Sequence, residues 1–133
     1  MEEPKYTLNK SERLCSKKLI ERLFGGGNKS FPTFPIRVVY MYLEAEETSA
    51  DISVLISVPK KRFKHAVKRN RVKRQIREAY RHHKHILIDA LQASEQPKKM
   101  ALAFIWLDNK LHQTEAVSYK VKKLLQHIAE EQS

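Results

Sequence analysis

The segment ISVPKKRFKHAVKRNRVKRQIREAYR, from Ile56 to Arg81, decides the fold of this chain. Its second half, from Lys68 to Arg81, places seven Lys or Arg residues in fourteen positions. Between these cations, apolar residues recur three and four positions apart, which is the spacing of one helical face. We predict a helix from about Ala66 to beyond Leu87, ended by SEQPKK. The apolar positions are Val72, Ile76, Ala79 and Tyr80.

A rotation of about 100° per residue separates this helix into two faces. The apolar residues fall on one side together with Leu87. The opposite side, which we call the cationic strip, consists of Asn70, Lys73, Arg74, Arg77, Arg81 and Lys84. One face therefore packs against the protein, while the other presents positive charge.

Two predicted strands precede the helix and one follows it. Ile36–Leu43 is rich in β-branched and aromatic residues, and Ile52–Val58 alternates apolar with polar residues. Met100–Leu107 is a continuous apolar run, which is typical of a strand covered on both faces. The segment FPTFP before the first strand is interpreted as a turn, and EAEETSAD, residues 44–51, as an acidic connecting loop.

Two further helices complete the pattern. Ser11–Phe24 has helical apolar spacing and stops at three glycines. Thr114 is predicted to cap the last helix. The inner residues of that helix are Val117, Val121, Leu124, Leu125 and Ile128. The order α-β-β-α-β-α predicts an α/β (α+β) sandwich, and 133 residues suit a single domain, 1–133.

The positive charge is concentrated in one segment. The chain has 26 Lys and Arg residues against 15 Asp and Glu, a formal net charge of +11. Between Lys60 and Lys84, basic residues are opposed by one acid, Glu78. Like charges crowded on one helix face repel each other, and a polyanion relieves that repulsion. The chain is therefore predicted to bind nucleic acid.

Other sequence features favour a cytoplasmic protein that needs no membrane. No apolar run has the length of a membrane span, and the N-terminus MEEPKYTLNK begins acidic, unlike a signal peptide. The single cysteine, Cys15, cannot form an internal disulfide, and we expect it to be a buried or half-buried apolar residue.

The kind of nucleic acid is indicated by the residue types. A zipper-type DNA reader would continue into leucine heptads, whereas the helical pattern ends by Pro97. Arg and Lys dominate the strip, which indicates phosphate contacts and favours structured RNA. Aromatic residues before and within the first strand either pack in the core or stack on unpaired bases: Phe24, Phe31, Phe34, Tyr40 and Tyr42.

No catalytic or metal site is predicted in the protein itself. Metal-assisted cleavage of RNA needs clustered carboxylates, and the acids here are concentrated in the 44–51 loop, near the termini or stand alone. His82, His83 and His85 lie within positive charge and lack an obvious carboxylate partner. Any cleavage chemistry would therefore come from a partner molecule.

Ile56–Arg81 resembles the signature of the bacterial ribonuclease P protein subunit, with a strand ending in Lys-Lys, a short connector and the pattern RNRxKRxIRE. LNKSERLCSKKLIERLF, residues 8–24, is similar to the opening helix of that family. The likeness extends from about Leu8 to Ile128. It implies a ribosomal-protein-like fold with a left-handed β-α-β crossover. We also expect residues 1–8 and 130–133 to be flexible ends.

The resemblance also implies a function. Members of that family bind a catalytic RNA and promote removal of the 5′ leader from precursor tRNA, while the RNA binds Mg²⁺ and performs the hydrolysis. The protein would be an enzyme component without catalytic residues of its own, and its oligomerisation would not be required. Contacts with the catalytic RNA are expected from Lys60, Lys61, Arg69, Asn70, Arg71, Lys73, Arg74, Arg77 and Arg81. Leader contacts are expected from Phe24, Phe31 and Tyr40, in a cleft between the first helix and the sheet.

Two alternatives remain open on the sequence. A general structured-RNA-binding or ribosomal protein would share the basic helix, without needing the Lys-Lys pair or an aromatic cleft. An autonomous endonuclease would have to be active without an RNA subunit. The scattered carboxylates argue against such an activity.

Overall fold

The computed structural model describes residues 10–94 and 98–132. A four-stranded sheet and three helices make up most of this part of the chain, with short 3-10 turns at Lys10–Glu12 and Ala45–Glu47. In chain order the longer elements are α1 (Lys17–Phe24), β1 (Lys29–Thr33), β2 (Ile36–Leu43), β3 (Ile52–Ser57), α2 (Ala66–Ala93), β4 (Lys99–Trp106) and α3 (Thr114–Glu130).

The strands lie in the order β1-β2-β4-β3. β2 is antiparallel to both β1 and β4, whereas β3 runs parallel to β4. Parallel neighbours need a crossover connection, and here α2 supplies it. This β3-α2-β4 unit is the crossover that the resemblance implies; its left-handed sense stays a prediction.

The sheet has two differently covered faces. α2 and α3 pack on one face, where Met100, Leu102, Phe104 and Trp106 of β4 are completely buried. The shorter α1 packs on the other face, against Ala101, Ala103 and β2. Side chains of β4 are therefore buried on both sides, as the continuous apolar run predicted. The predicted sandwich class is confirmed, and the six predicted elements follow one another in the predicted order, with β1 as an additional strand.

The first helix is shorter than predicted. It begins at Lys17, because Ser16 caps it by accepting a hydrogen bond from the Leu19 backbone. Residues Lys10–Leu14, which we call the N-terminal strap, cross to the outer edge of β3, where the Leu14 N–H donates to the Val54 carbonyl oxygen at 2.8 Å. The side chain of Leu14 enters the small core under α1. Leu14 fitted the apolar spacing of a helix because its side chain is buried, although the helix begins only after it.

Strand β1 was not predicted. The prolines of FPTFP indicated a turn, yet Lys29–Thr33 pairs with β2 from Lys29 opposite Tyr40 to Thr33 opposite Ile36. β1 is an edge strand, and Pro is tolerated there because one side of the strand needs no ladder donor. The turn itself is the two residues Phe34 and Pro35, joined by a cis peptide bond.

The start of α3 differs from expectation, and its end has a tertiary contact. Gln113, not Thr114, occupies the N-cap position. The Thr114 hydroxyl oxygen instead accepts a hydrogen bond from Gln75 Nε2 of α2 at 3.1 Å, so it joins two helices. At the other end, Gln132 accepts a hydrogen bond from the Tyr42 hydroxyl. Residues 1–8 lie outside the described residues, and the expectation of flexible ends stays a prediction.

Candidate nucleic-acid interface

Helix α2 has the two faces that its sequence predicted. Val72, Ile76, Ala79, Tyr80 and Leu87 are all buried against the sheet and α3. Gln75 is buried beside them; its Nε2 donates to the His112 carbonyl oxygen and the Thr114 hydroxyl. Because this side of the helix is fixed by packing, the cationic strip is held on the outer side.

The members of the cationic strip differ in their partners. Arg81 forms an ion pair with Glu78 at 2.7 Å, and Lys84 with Glu12 of the N-terminal strap at 2.9 Å. By contrast, Lys73, Arg74 and Arg77 have no ion-pair partner among the described residues. Asn70 and Arg74 are exposed, while Lys73 and Arg77 are half-buried. The middle of the strip therefore carries positive charge that the protein leaves unneutralised.

Further cations flank the strip at the start of α2. Lys60 and Lys61 are exposed in the turn after β3, and Arg71 is exposed on α2. Arg69 is different, since its Nη1 donates to the carbonyl oxygens of Phe63 and Lys64 at 2.8 and 2.9 Å. Arg69 thereby braces the connector against α2, a role that the sequence did not indicate.

The sheet leaves part of one face uncovered. α1 packs over Met41, Leu43 and Ala101, at one end of the sheet. The pairing registers place five half-exposed residues on this same face, two of which, Val39 and Leu55, also pack against the core under α1. We call this surface the open groove; it consists of Arg37, Val39, Leu55, Ser57 and Ile105. It combines apolar atoms with a cation and a hydroxyl, a composition that suits an unpaired RNA strand.

The predicted leader residues do not lie together. Phe24 ends α1 and is exposed. Phe31 and Tyr40 point to the opposite face of the sheet, where the Phe31 ring stacks on His127 of α3 with 3.5 Å between centroids. Tyr40 is only 1% exposed, so its ring has no free surface for a base. The alternation of β1 and β2 directs both side chains away from α1, which separates them from a cleft on its side.

The Tyr40 hydroxyl has a structural partner. It donates a hydrogen bond to a carboxylate oxygen of Glu131, just beyond α3. Burial, together with this hydrogen bond and the nearby negative charge, raises the pKa of Tyr40, whereas the same hydrogen bond lowers the pKa of Glu131. The contact fixes the end of α3 to the centre of β2.

The histidines of α2 form no metal site. Burial and the nearby Lys122, His82 and His85 lower the pKa of His83, whose Nε2 lies 3.1 Å from the Ser118 hydroxyl oxygen. Within residues 10–94 and 98–132, no three His, Cys, Asp or Glu side chains are grouped to hold a metal ion. Nor does any helix of this part combine the length and apolar composition of a membrane span.

The sequence missed one cation beside the strip. Arg13, in the N-terminal strap, lines a pocket of about 320 Å³ together with Lys73 and Arg77, above Leu55 and Ile56 of β3. Only the pairing of the strap with β3 brings it there, and no local sequence signal predicts such a contact. The neighbouring Cys15 is exposed, which corrects the expectation that it is buried or half-buried.

A small α+β sandwich whose longest helix carries an unneutralised basic face is the structure of an RNA-binding domain. Comparison with known families gives it a specific place, because the family model described as Ribonuclease P matches residues 8–129. The chain belongs to the ribonuclease P protein family, the protein subunit of the ribonucleoprotein that processes tRNA 5′ ends. The alternative of a general RNA-binding or ribosomal protein is therefore set aside.

Related proteins are similar in sequence to this one over most of the chain. The ribonuclease P protein component of Porphyromonas gingivalis W83 is 46% identical over 126 residues, which cover 95% of this chain and 89% of that protein. The protein of the same name from Chlorobaculum tepidum is 34% identical over 102 residues, 74% of this chain and 66% of the relative.

Solved structures share the fold at lower identity. The RNase P protein from Thermotoga maritima superposes with a TM-score of 0.66 at 22% identity, covering 87% of this chain and 96% of that one. The RNase P protein of Staphylococcus aureus gives a TM-score of 0.56 at 20% identity, covering 90% and 94%. These likenesses support the sandwich architecture described above.

Proposed function

We propose that this protein binds the catalytic RNA of ribonuclease P through the basic side of α2 and the turn before it. The contributing residues are Lys60, Lys61, Arg69, Asn70, Arg71, Lys73, Arg74, Arg77 and Arg81. The single observation that carries the proposal is the unneutralised centre of the cationic strip, where Lys73, Arg74 and Arg77 lack an acidic partner in the described chain. Phosphates of a folded RNA would supply the missing negative charge.

The open groove is proposed to hold the single-stranded 5′ leader of precursor tRNA. It adjoins the cationic strip, because Leu55 lines the same pocket as Lys73 and Arg77. An RNA strand on the strip could therefore reach the edge of the sheet through a pocket whose lining residues include no acid. Among the expected leader residues, Phe24 is exposed at the end of α1, on the groove's side of the sheet. Phe31 and Tyr40 support the α3 side instead.

The protein's part in the reaction would be to bind and position RNA. The hydrolysis of the phosphodiester bond, with its Mg²⁺ ions, is assigned to the catalytic RNA. The protein would neutralise crowded phosphates where the catalytic RNA and the precursor meet, which allows the two to approach at lower Mg²⁺ concentration. The complex would act in the cytoplasm, where precursor tRNA is made.

The experiment that tests this function is cleavage of a precursor tRNA by the cognate catalytic RNA at low Mg²⁺. The reaction is followed with both components, with the RNA alone and with the protein alone. Cleavage that requires both components supports the proposal. Cleavage by the protein alone would reveal an active site in the protein, and no effect of the protein would contradict its role in processing.

A paired variant tests the interface. Arg71→Ala with Arg74→Ala removes two exposed cations from α2, and Lys122→Ala removes an exposed cation from α3 as the matched control. The double variant is expected to weaken RNA binding and to reduce the slope of log K against log salt by about 0.7–0.9 per lost contact. A slope equal to that of the control would contradict the assignment of this surface.

A further inference from the structure

We propose that Arg13, Lys73 and Arg77 form one phosphate-binding site for RNA, at the outer edge of β3. The site unites the N-terminal strap with α2, two parts of the chain that the sequence separates by 60 positions. It deepens the proposed RNA-binding function and rests on it. Its distinctive claim is that Arg13, outside the basic segment, contacts RNA.

The three cations share a pocket without an acid. The lining of the pocket, of about 320 Å³, consists of these three side chains and four apolar residues: Leu14, Val54, Leu55 and Ile56. None of the three cations has an ion-pair partner among the described residues. Like charges placed around one pocket repel each other, and a bound anion adds attractive interactions that outweigh this repulsion.

The strap fixes Arg13 from both sides. On one side, Glu12 pairs with Lys84 of α2 at 2.9 Å, and both side chains are largely buried. On the other side, the Leu14 N–H donates to the Val54 carbonyl oxygen, and the Leu14 side chain is buried in the core under α1. Arg13 itself is exposed. Its anchored neighbours hold it beside Lys73 and Arg77, so less conformational entropy is lost when an anion binds.

The chemistry of the pocket indicates a phosphodiester of an RNA chain. A guanidinium offers paired N–H donors that match two phosphate oxygens, and Lys73 adds a compact charge. Apolar residues of β3, among them Ile56, also line the pocket and suit the sugar or the base edge beside the phosphate. Leu55, which lines the pocket at the edge of β3, also belongs to the open groove. The site therefore lies between the two surfaces that are proposed to bind RNA.

The test compares Arg13→Ala with Lys122→Ala, which removes an exposed cation from α3. We expect Arg13→Ala to weaken binding about tenfold and to reduce the salt slope by about 0.7–0.9, as for one phosphate contact. Arg13→Lys should retain most of the slope. If Arg13→Ala and Lys122→Ala agree in affinity and slope, the site is wrong.

A double-mutant cycle tests whether the cations share one phosphate. The combined loss in Arg13→Ala, Lys73→Ala should be smaller than the sum of the single losses, because either change already disrupts the same contact. Strict additivity would show that Arg13 and Lys73 contact separate phosphates and would overturn the shared site. Thermal unfolding of each variant checks that the strap still folds.

Two arms distinguish the source of the phosphate. One measures protein binding to the catalytic RNA alone; the other measures binding of the assembled complex to precursor tRNA with and without its leader. A loss in the first arm assigns the phosphate to the catalytic RNA, and a loss only with the leader assigns it to the leader.

Arg71→Ala with Arg74→Ala, outside the pocket, separates the two proposals. If that variant binds weakly and Arg13→Ala normally, only this inference fails; if both bind normally, the proposed interface fails.

Discussion

Lys84 Nζ lies 2.9 Å from Glu12 Oε2, and the two side chains keep only 14% and 13% of their surface exposed. The pair connects the N-terminal strap to the middle of α2 across 72 positions of sequence. An ion pair removed from water to this extent has high desolvation costs, so the loss of one partner leaves a poorly solvated charge.

Glu12→Gln is therefore expected to lower the free energy of unfolding by about 2 kcal/mol. The charge of Lys84 would lose its carboxylate while remaining half-buried. Urea denaturation at neutral pH measures the change, with Glu21→Gln on the exposed side of α1 as the control. Equal urea midpoints for the two variants would show that the pair contributes nothing to stability.

The buried amide of Gln75 gives a second prediction. Its Nε2 donates to the His112 carbonyl oxygen and the Thr114 hydroxyl, both at 3.1 Å, and so connects α2 to the start of α3. Gln75→Ala should cost about 2–3 kcal/mol in unfolding free energy, because it removes both hydrogen bonds and opens a small cavity. The neighbouring exposed Arg74→Ala serves as the control in the same urea titration. A cost below that of Arg74→Ala would refute this role for the amide.

The contact between Tyr40 and Glu131 predicts a pH dependence. The pKa of Glu131 is below its ordinary value of 4.5 in the folded protein, chiefly through the hydrogen bond from Tyr40. A carboxyl whose folded pKa is lowered stabilises the protein above its unfolded pKa, and this stability is lost as pH falls through the folded pKa.

Tyr40→Phe should therefore reduce stability by about 1 kcal/mol near neutral pH, and by less below pH 4 as Glu131 protonates. Urea midpoints of both proteins between about pH 3 and pH 7 give the comparison. A difference that stays constant or grows with acidity would rule out this linkage to Glu131.

The two faces of the sheet predict opposite effects for two substitutions. Ser57→Asp places a carboxylate in the open groove, so it should weaken binding of precursor tRNA by the assembled complex about tenfold, with little effect on mature tRNA. Phe31→Ala, on the α3 side, should lower stability and leave leader affinity unchanged once the protein is folded. The reverse result, a leader effect of Phe31→Ala alone, would place the leader on the α3 side.

Local pattern was sufficient for much of this fold. Helix α2, the inner stripe of α3 and strand β3 were predicted from periodicity, because each buries a side whose apolar residues recur at the period of the element. Strand β2 was predicted from its β-branched and aromatic residues, and β4 from its continuous apolar run. The basic side of α2 followed from the same periodicity, since residues absent from the packed face must lie on the other.

The remaining features depend on contacts between distant segments. β1 contains Pro32. A strand with a proline can be predicted only if it is known to lie at the edge of the sheet, because an edge strand has no neighbour on its outer side. The face of Phe31 depends on the register of β1, a strand that was not predicted. The face of Tyr40 depends on which side of β2 is covered by the two longer helices. Arg13 lies beside α2 because the strap pairs with β3. The strap was predicted as part of a helix because the buried Leu14 fits helical apolar spacing.

The two edge strands, β1 and β3, also determine how readily copies of this chain pair with one another through their sheets. On β1, Pro32 lacks the N–H that a further strand would use, and on β3 the strap already occupies the carbonyl oxygen of Val54. An edge strand whose backbone hydrogen-bonding groups are missing or already paired is a poor template for the addition of another chain. Newly made protein that has not yet met its RNA is therefore protected from aggregation through its strands, by a proline and by the same five-residue segment that carries Arg13.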